Sequence, residues 1–245
     1  MAKPFLSVII PAYNEEERLP ITLLDIDAHL SKADFSYEII VVNAASADRT
    51  LEVAKRFGEI IKNLKVISAD KSRKGYAVQR GMLEAKGTYR LFTDADNSVS
   101  IDHFDSMLPH LKEGYGAVIC SRSMKGSKLS PPQPLHKRLL GKMGNLVIQF
   151  TVLPGLWDTQ CGFKAFSEQA ATAIFSKIMI RGWGFDAEAL ALARRLGYRI
   201  KEIPVVWVND PRSHVTFSGY LGTLWEVAKV RYNLWFNRYN ISDKR

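Results

Sequence analysis

Short apolar runs rich in β-branched and aromatic residues divide the first half of the chain: Phe5–Ile10, Tyr37–Val42, Leu64–Ala69, Tyr89–Thr93 and Ala117–Cys120. Runs of this length without alternation suit strands buried on both faces. Between them, apolar residues recur at helical spacing over Glu15–Leu30, Asp48–Gly58, Gly75–Ala85 and Asp102–Leu111. Strand and helix in alternation predict βαβ units, hence an α/β fold with a mostly parallel central sheet flanked by helices.

The second half is less regular. A strand around Gly162–Phe166, a helix from Phe185 to Leu196 and a strand around Ile200–Val208 complete a domain taken as residues 1–217. Residues 218–245 form a C-terminal appendage. Within it Leu221, Leu224, Trp225, Ala228, Tyr232 and Trp235 follow helical spacing, interspersed with Lys229, Arg231 and Arg238. Such an aromatic-basic amphipathic helix suits packing on the domain or lying on a membrane surface.

Composition narrows the class. With 47% hydrophobic and 24% charged residues among 245, the chain is globular rather than disordered or fibrous. Phe5–Ile10 is too short for a signal peptide and runs into Pro11 and acids. Leu139–Trp157 is interrupted by Lys142, Asn145, Gln149 and Pro154, so no membrane-spanning helix is expected. Cys120 and Cys161 lack metal-ligand spacing and are expected to be buried, reduced thiols of a cytosolic protein.

The net charge of +9 is unevenly spread. From Ser121 to Leu156 there is no acid, while Arg122, Lys125, Lys128, Lys137, Arg138 and Lys142 are basic. A segment of this kind seeks phosphates, whether of nucleic acid, a nucleotide or an anionic membrane surface.

Ligands of parallel sheets bind beyond the carboxyl ends of the strands. Polar clusters stand at three such ends: Pro11–Glu15, Asn43–Asp48 and Asp94-Ala95-Asp96. In an extended chain Asp94 and Asp96 share a face, and two close carboxylates call for a cation. Three chemistries place Asp-x-Asp after an apolar run. The pair can hold Mg²⁺ or Mn²⁺ against the diphosphate of a nucleotide-sugar. It can serve as nucleophile and acid/base of a phosphohydrolase. An EF-hand loop fails, because Val99 replaces the turn glycine and Asp105 the bidentate glutamate.

Six stretches occur in order: SVIIPAYNEEERL, RKGYAVQRGMLEAKG, LFTDADNS, DTQCGFKAF, RGWGFDAEAL and VWVNDPRSHV. Together they resemble the inverting family 2 glycosyltransferases of GT-A fold, in the branch that acts on dolichyl and polyprenyl phosphates. The resemblance covers Ser7 to about Phe217. It implies transfer of a hexose, glucose foremost, from UDP-glucose or GDP-mannose to a polyprenyl phosphate. The enzyme would be peripheral on the cytoplasmic face of an anionic membrane, with no nucleic-acid partner. A family 2 transferase using a saccharide hydroxyl is the alternative, followed by the phosphohydrolase.

The resemblance also assigns residues. Pro11, Tyr13 and Glu15 line the nucleoside pocket, and Lys74 and Gly75 approach the donor phosphates. Asp96 is the main Mg²⁺ or Mn²⁺ ligand, with Asp94 and Ser98 beside it; Asp94 also reaches the ribose or sugar. Arg122, Lys137, Arg138 and Arg212 face the acceptor phosphate. Asp158, Gln160 and Lys164 fall in the DTQCGFK element. Asp186 and Glu188 form the acidic pair near the sugar, Asp186 being the base if the acceptor is a hydroxyl. Relatives place an acid that holds the nucleobase at the second position after Val42; here Ala44 stands there, and Asn43, Ser46 or Asp48 is left to take the contact.

Overall fold

A computed structural model describes residues 3–132, 135–210 and 217–241. Strands β1 (Leu6–Ala12), β2 (Tyr37–Ala44), β3 (Leu64–Ala69) and β4 (Tyr89–Thr93) alternate with helices α1 (Leu19–Leu30), α2 (Thr50–Ile60) and α3 (Lys74–Glu84). Then come α4 (His103–Lys112), β5 (Ala117–Ser121), β6 (Lys128–Ser130), α5 (Leu135–Thr151) and β7 (Phe163–Ser167). The chain continues through α6 (Glu168–Phe175), α7 (Phe185–Arg195), β8 (Ile200–Pro204), β9 (Val206–Val208) and α8 (Phe217–Trp235).

Seven strands form one sheet in the order β3-β2-β1-β4-β7-β5-β8. All neighbours run parallel except β7, which is antiparallel to β4 and β5. Alternate residues of each strand feed opposite cores. Ile9, Ile40, Val42 and Phe92 pack with α3, α6 and α7, while Val8, Ile10, Ile39, Val41 and Leu91 pack with α1 and α4. Burial on both faces explains why the strands read as unbroken apolar runs.

The strand order changes direction at β1, with β2 on one side and β4 on the other. That makes the β1/β4 boundary the crevice where an open α/β sheet takes its ligand. The crevice lies where the Pro11–Glu15 and Asp94–Asp96 clusters end their strands.

Three expectations shift. The first helix starts at Leu19 rather than Glu15, because Asn14 turns the chain with φ of 54° and Pro20 opens the helix. The expected strand Ile200–Val208 divides at Val205: β8 pairs with β5, and β9 crosses to pair with β6 in a separate two-stranded sheet. Helix α6 was not anticipated, although Ser167 caps it by accepting from the Ala170 N–H.

Helix α8 packs through Val227 and Val230 into the core shared with Tyr239 and Ile241. The apolar stripe picked out by helical spacing lies elsewhere: Leu221, Trp225, Tyr232 and Trp235 are exposed, Trp225 by 65% and Trp235 by 76%. No helix among the described residues is long and apolar enough to cross a membrane.

Candidate active site

Strand β4 ends at Thr93, so Asp94 and Asp96 sit on the turn beyond it rather than on an extended strand. Asn97 takes φ of 52° in this turn, and the Ser98 N–H donates to Asp96 Oδ1 at 3.0 Å. Asp94 is held from below: its N–H donates to the Gly162 carbonyl at 3.2 Å. A Cβ on Gly162 would stand 1.9 Å from Asp94 Oδ2, so only glycine lets the carboxylate rest there.

Each carboxylate of the pair faces its own cation. Lys74, the first residue of α3, places Nζ 2.6 Å from Asp94 Oδ1. Burial disfavours the ammonium, but Asp94 and then Asp186 more than offset it, and its pKa is raised. Trp183 lies under the same ammonium, 4.9 Å from Nζ to the ring centre. Gly75, beside it, lets α3 approach Phe185 and the Arg181 and Gly182 carbonyls too closely for any side chain.

Arg18, which sequence reading passed over, serves Asp96. Its Nη1 lies 4.0 Å from Asp96 Oδ2 and 3.6 Å from Asp210. Nε and Nη2 grip Glu15 at 2.6 and 2.5 Å. Glu15, expected at the ribose, therefore also orients Arg18. Burial, reinforced by Asp94, raises the Asp96 carboxyl above the usual carboxylate range.

The first two strand ends interlock. Ser46 Oγ accepts from the Asn14 N–H, Asn14 Oδ1 from the Ala47 N–H, and Asp48 from the Glu16 N–H, at 3.1, 2.9 and 3.2 Å. Ser46 and Asp48 thus tie the loops together. Asn43 is the remaining candidate for base contact, and its buried Oδ1 has no hydrogen-bond partner. Pro11 lies within β1 opposite Val42, and Tyr13 is exposed just past the strand end.

Arg122 and Asp158 form a two-pronged pair. Nε and Nη2 donate at 2.7 and 2.9 Å, and the Arg122 N–H adds a third bond at 2.8 Å. Arg122 is thereby committed to a carboxylate with only 1% of its side chain exposed. Against burial, Arg122 lowers the Asp158 pKa. The fork expected at an acceptor phosphate is occupied from within the chain.

Asp186 opens α7 and meets Lys164 of β7 at 2.5 Å, both sealed from solvent. Burial raises its pKa against the pull of Lys164. A general base would have to give up this partner. Glu188 accepts from the Met179 and Ile180 N–H groups and from the Tyr239 hydroxyl, and so anchors a loop. Cys120 and Cys161 are free and buried, and burial pushes the Cys161 thiol up to about 12. Lys137 and Arg138 fall on α5, but their side chains, like all of Arg212, lie outside the described residues.

A hard divalent ion fits the turn. Among the described residues no three His, Cys, Asp or Glu side chains gather into a metal cage. Yet Asp94 and Asp96 supply carboxylate oxygens, and the enclosed Ser98 hydroxyl has no hydrogen-bond partner. A cavity of about 10 Å³ beside the turn is lined by Thr93, Asp94, Ser98, Val99, Gly162 and Trp207, with Asp96 outside it. Mg²⁺ and Mn²⁺ need few protein oxygens when phosphates and water fill the remaining positions.

A family model for glycosyl transferase family 2 matches residues 7–175. The chain belongs to glycosyl transferase family 2. It is a glycosyltransferase, and its fold is the GT-A fold. A dolichyl-phosphate beta-glucosyltransferase of Trichomonas vaginalis is 32% identical over 255 residues, covering 100% of this chain and 78% of that protein. The dolichyl-phosphate beta-glucosyltransferase of Dictyostelium discoideum is 35% identical, covering 93% and 74%; the human one is 33% identical, covering 83% and 67%. Among solved structures, glucosyl-3-phosphoglycerate synthase from Mycobacterium tuberculosis, in complex with Mn²⁺, uridine-diphosphate and glucosyl-3-phosphoglycerate, superposes with a TM-score of 0.69 at 18% identity, covering 98% of this chain and 82% of that one. Mannosyl-3-phosphoglycerate synthase from Rubrobacter xylanophilus superposes with a TM-score of 0.71 at 16% identity, covering 99% and 77%.

Proposed function

We propose that this family 2 enzyme transfers glucose from a nucleoside diphosphate sugar, UDP-glucose foremost, to a polyprenyl phosphate such as dolichyl phosphate, with inversion at the anomeric carbon. The names of its relatives support the sugar and the lipid class. The observation that carries the reading is the charge arrangement at the β1/β4 crevice, where Lys74 on a helix N-terminus adjoins the Asp94–Asp96 turn. An ammonium at a helix start suits the departing diphosphate, since free N–H groups and the helix dipole favour anions there.

Asp96, with Asp94 and Ser98, would hold Mg²⁺ or Mn²⁺, which when bound supplies positive charge against the nucleotide's phosphates. The chain's own groups do the rest. Tyr13 offers a face to the base, and the buried Asn43 Oδ1 is an unpartnered acceptor that a base edge would have to uncover. Lys74 steadies charge that grows on the leaving diphosphate as the bond from sugar C1 to phosphate oxygen breaks. An acceptor phosphate oxygen forms the new bond to C1 from the opposite face.

A phosphate monoester has a second pKa near 6 and is largely dianionic at neutral pH, so no general base is required. That suits a site whose buried Asp186 is already paired with Lys164. It counts against a saccharide hydroxyl acceptor, which needs a base. Arg122, Lys137, Arg138 and Arg212 remain the candidates for the acceptor phosphate, Arg122 only by opening its pair with Asp158. The exposed aromatic face of α8 supports a peripheral position on a membrane, with residues 218–245 as the contacting appendage. Free buried thiols suit the reducing cytoplasmic side.

The test is incubation with Mn²⁺ or Mg²⁺, dolichyl or undecaprenyl phosphate and a panel of nucleotide-sugars, with products identified by mass. A hexosyl phospholipid from UDP-glucose is expected. Hexose appearing only on added saccharides, or inorganic phosphate released from simple phosphomonoesters, would overturn the proposal.

A further inference from the structure

Ala45 after β2, the loop between β3 and α3, the segment before α7 and one face of α8 line an open groove of about 1210 Å³. Cations line it from all three sides: Lys71 and Arg73 from the loop, Arg181 from the segment, and Lys229 and Arg238 from α8 and the turn after it. The acids on its wall are Asp70 and Glu226, and Glu226 already accepts from the Gly184 N–H at 2.8 Å. None of the five cations forms an ion pair among the described residues, unlike Lys74 and Lys164 of the neighbouring site.

Aromatic rings hold most of these cations instead. Lys71 and Arg181 flank Tyr76 at 5.6 and 5.3 Å, Lys229 lies over Trp225 at 5.4 Å, and Arg238 over Tyr232 at 4.9 Å. Trp225 and Tyr232 are both groove wall and members of the exposed stripe, which continues through Trp235 and Phe236. A positive cleft bordered by exposed Trp and Tyr matches a ligand with an anionic head and an apolar body. Those residue types concentrate at the headgroup level of a bilayer.

We propose that this groove binds the headgroup phosphate of an anionic phospholipid, with the α8 stripe seated in the headgroup layer. The site rests on the membrane-surface part of the proposed function. It would hold the crevice at the depth where a lipid acceptor presents its phosphate.

The experiment is co-sedimentation of the full chain with vesicles of phosphatidylcholine, alone or mixed with phosphatidylglycerol, in the absence of donor and acceptor. Wild type should bind the mixed vesicles and not the zwitterionic ones. The double variant Lys229→Gln, Arg238→Gln should bind them about thirtyfold more weakly. Exchanging the two cations, as Lys229→Arg with Arg238→Lys, should restore binding. Thermal melts report whether each variant is folded. Transfer to a short, detergent-dispersed polyprenyl phosphate should be equal in all three, so loss of vesicle binding is separable from loss of transfer. Equal vesicle binding by wild type and the double Gln variant overturns the site, as does equal binding to both lipid compositions. Thermal stabilisation by glycerol phosphate without vesicle binding overturns the lipid assignment in favour of a soluble phosphate ester.

Discussion

Lys74 Nζ and Asp94 Oδ1 stand 2.6 Å apart, joining the start of α3 to the end of β4 across the β1/β4 crevice. The contact puts a cation where the donor's diphosphate is proposed to leave. Lys74→Met keeps the side chain's length and removes the charge. It should lower kcat about a hundredfold, the scale for deleting one preorganised charge-stabilising group. Asp94 is one-third exposed and can rehydrate, so the melting temperature should barely move. Steady-state kinetics with a parallel thermal melt checks both, and an unchanged kcat would remove Lys74 from catalysis.

Gly162 sets Asp94 by leaving room for it. Gly162→Ala puts a methyl 1.9 Å from Oδ2, and because β7 is pinned between β4 and β5, the carboxylate is what must move. A stability loss of about 1–3 kcal/mol is expected. Weaker Mn²⁺ binding should accompany it, read by calorimetry on the free enzyme. A variant that binds Mn²⁺ as wild type does would show that Asp94 is not a ligand.

Much of this was legible beforehand. Unbroken apolar runs such as Ile39–Val42 report burial on both faces, and the polar residues that end them mark the crevice. Pairing across distance was not legible. Arg18 reaches Asp96 because Asn14 turns the chain and Pro20 starts the helix late, and no local pattern encodes that reach. Nor was the pairing of Arg122 with Asp158, 36 residues away, legible. On α8 the period identified a helix with an apolar stripe but could not say that the smaller Val227 and Val230 take the core.

The Arg122–Asp158 pair makes stability depend on pH. Asp158 has its folded pKa lowered by Arg122 despite burial. Its contribution is therefore complete above the ordinary carboxylate pKa of about 4, and is lost as pH falls through the lower folded value. Denaturant melts across acid pH should show this decline in wild type. Asp158→Asn should be destabilised by about 1–3 kcal/mol at neutral pH, because it removes the buried charged acceptor of a partly exposed guanidinium, and should show a shallower acid decline. Parallel pH profiles for the two proteins would refute the assignment.

Ala45 follows β2 with φ of 54°, a left-handed conformation that costs a residue with a Cβ about 1–2 kcal/mol. Ala45→Gly should therefore stabilise the protein by about 1 kcal/mol, after the greater chain entropy glycine brings to the unfolded state. Chemical denaturation measures this. A destabilised variant would mean that the methyl group contributes contacts worth more than the strain.

Glu226 ties α8 to the loop beside Lys74. Its Oε2 accepts from the Gly184 N–H at 2.8 Å. The same loop gives the Arg181 carbonyl to the Tyr76 N–H at 3.1 Å and sets the Trp183 ring 4.9 Å from Lys74 Nζ. Glu226→Ala leaves that N–H without its acceptor, at about 1–3 kcal/mol in stability. The ring beneath Lys74 is then less firmly held, so kcat should fall about tenfold while the donor KM stays within twofold, as for a group whose position matters most in the transition state. Glu226→Gln retains a carbonyl acceptor and should recover most of the rate. If the glutamine variant is as slow as the alanine one, Glu226 acts through its charge rather than by positioning the loop.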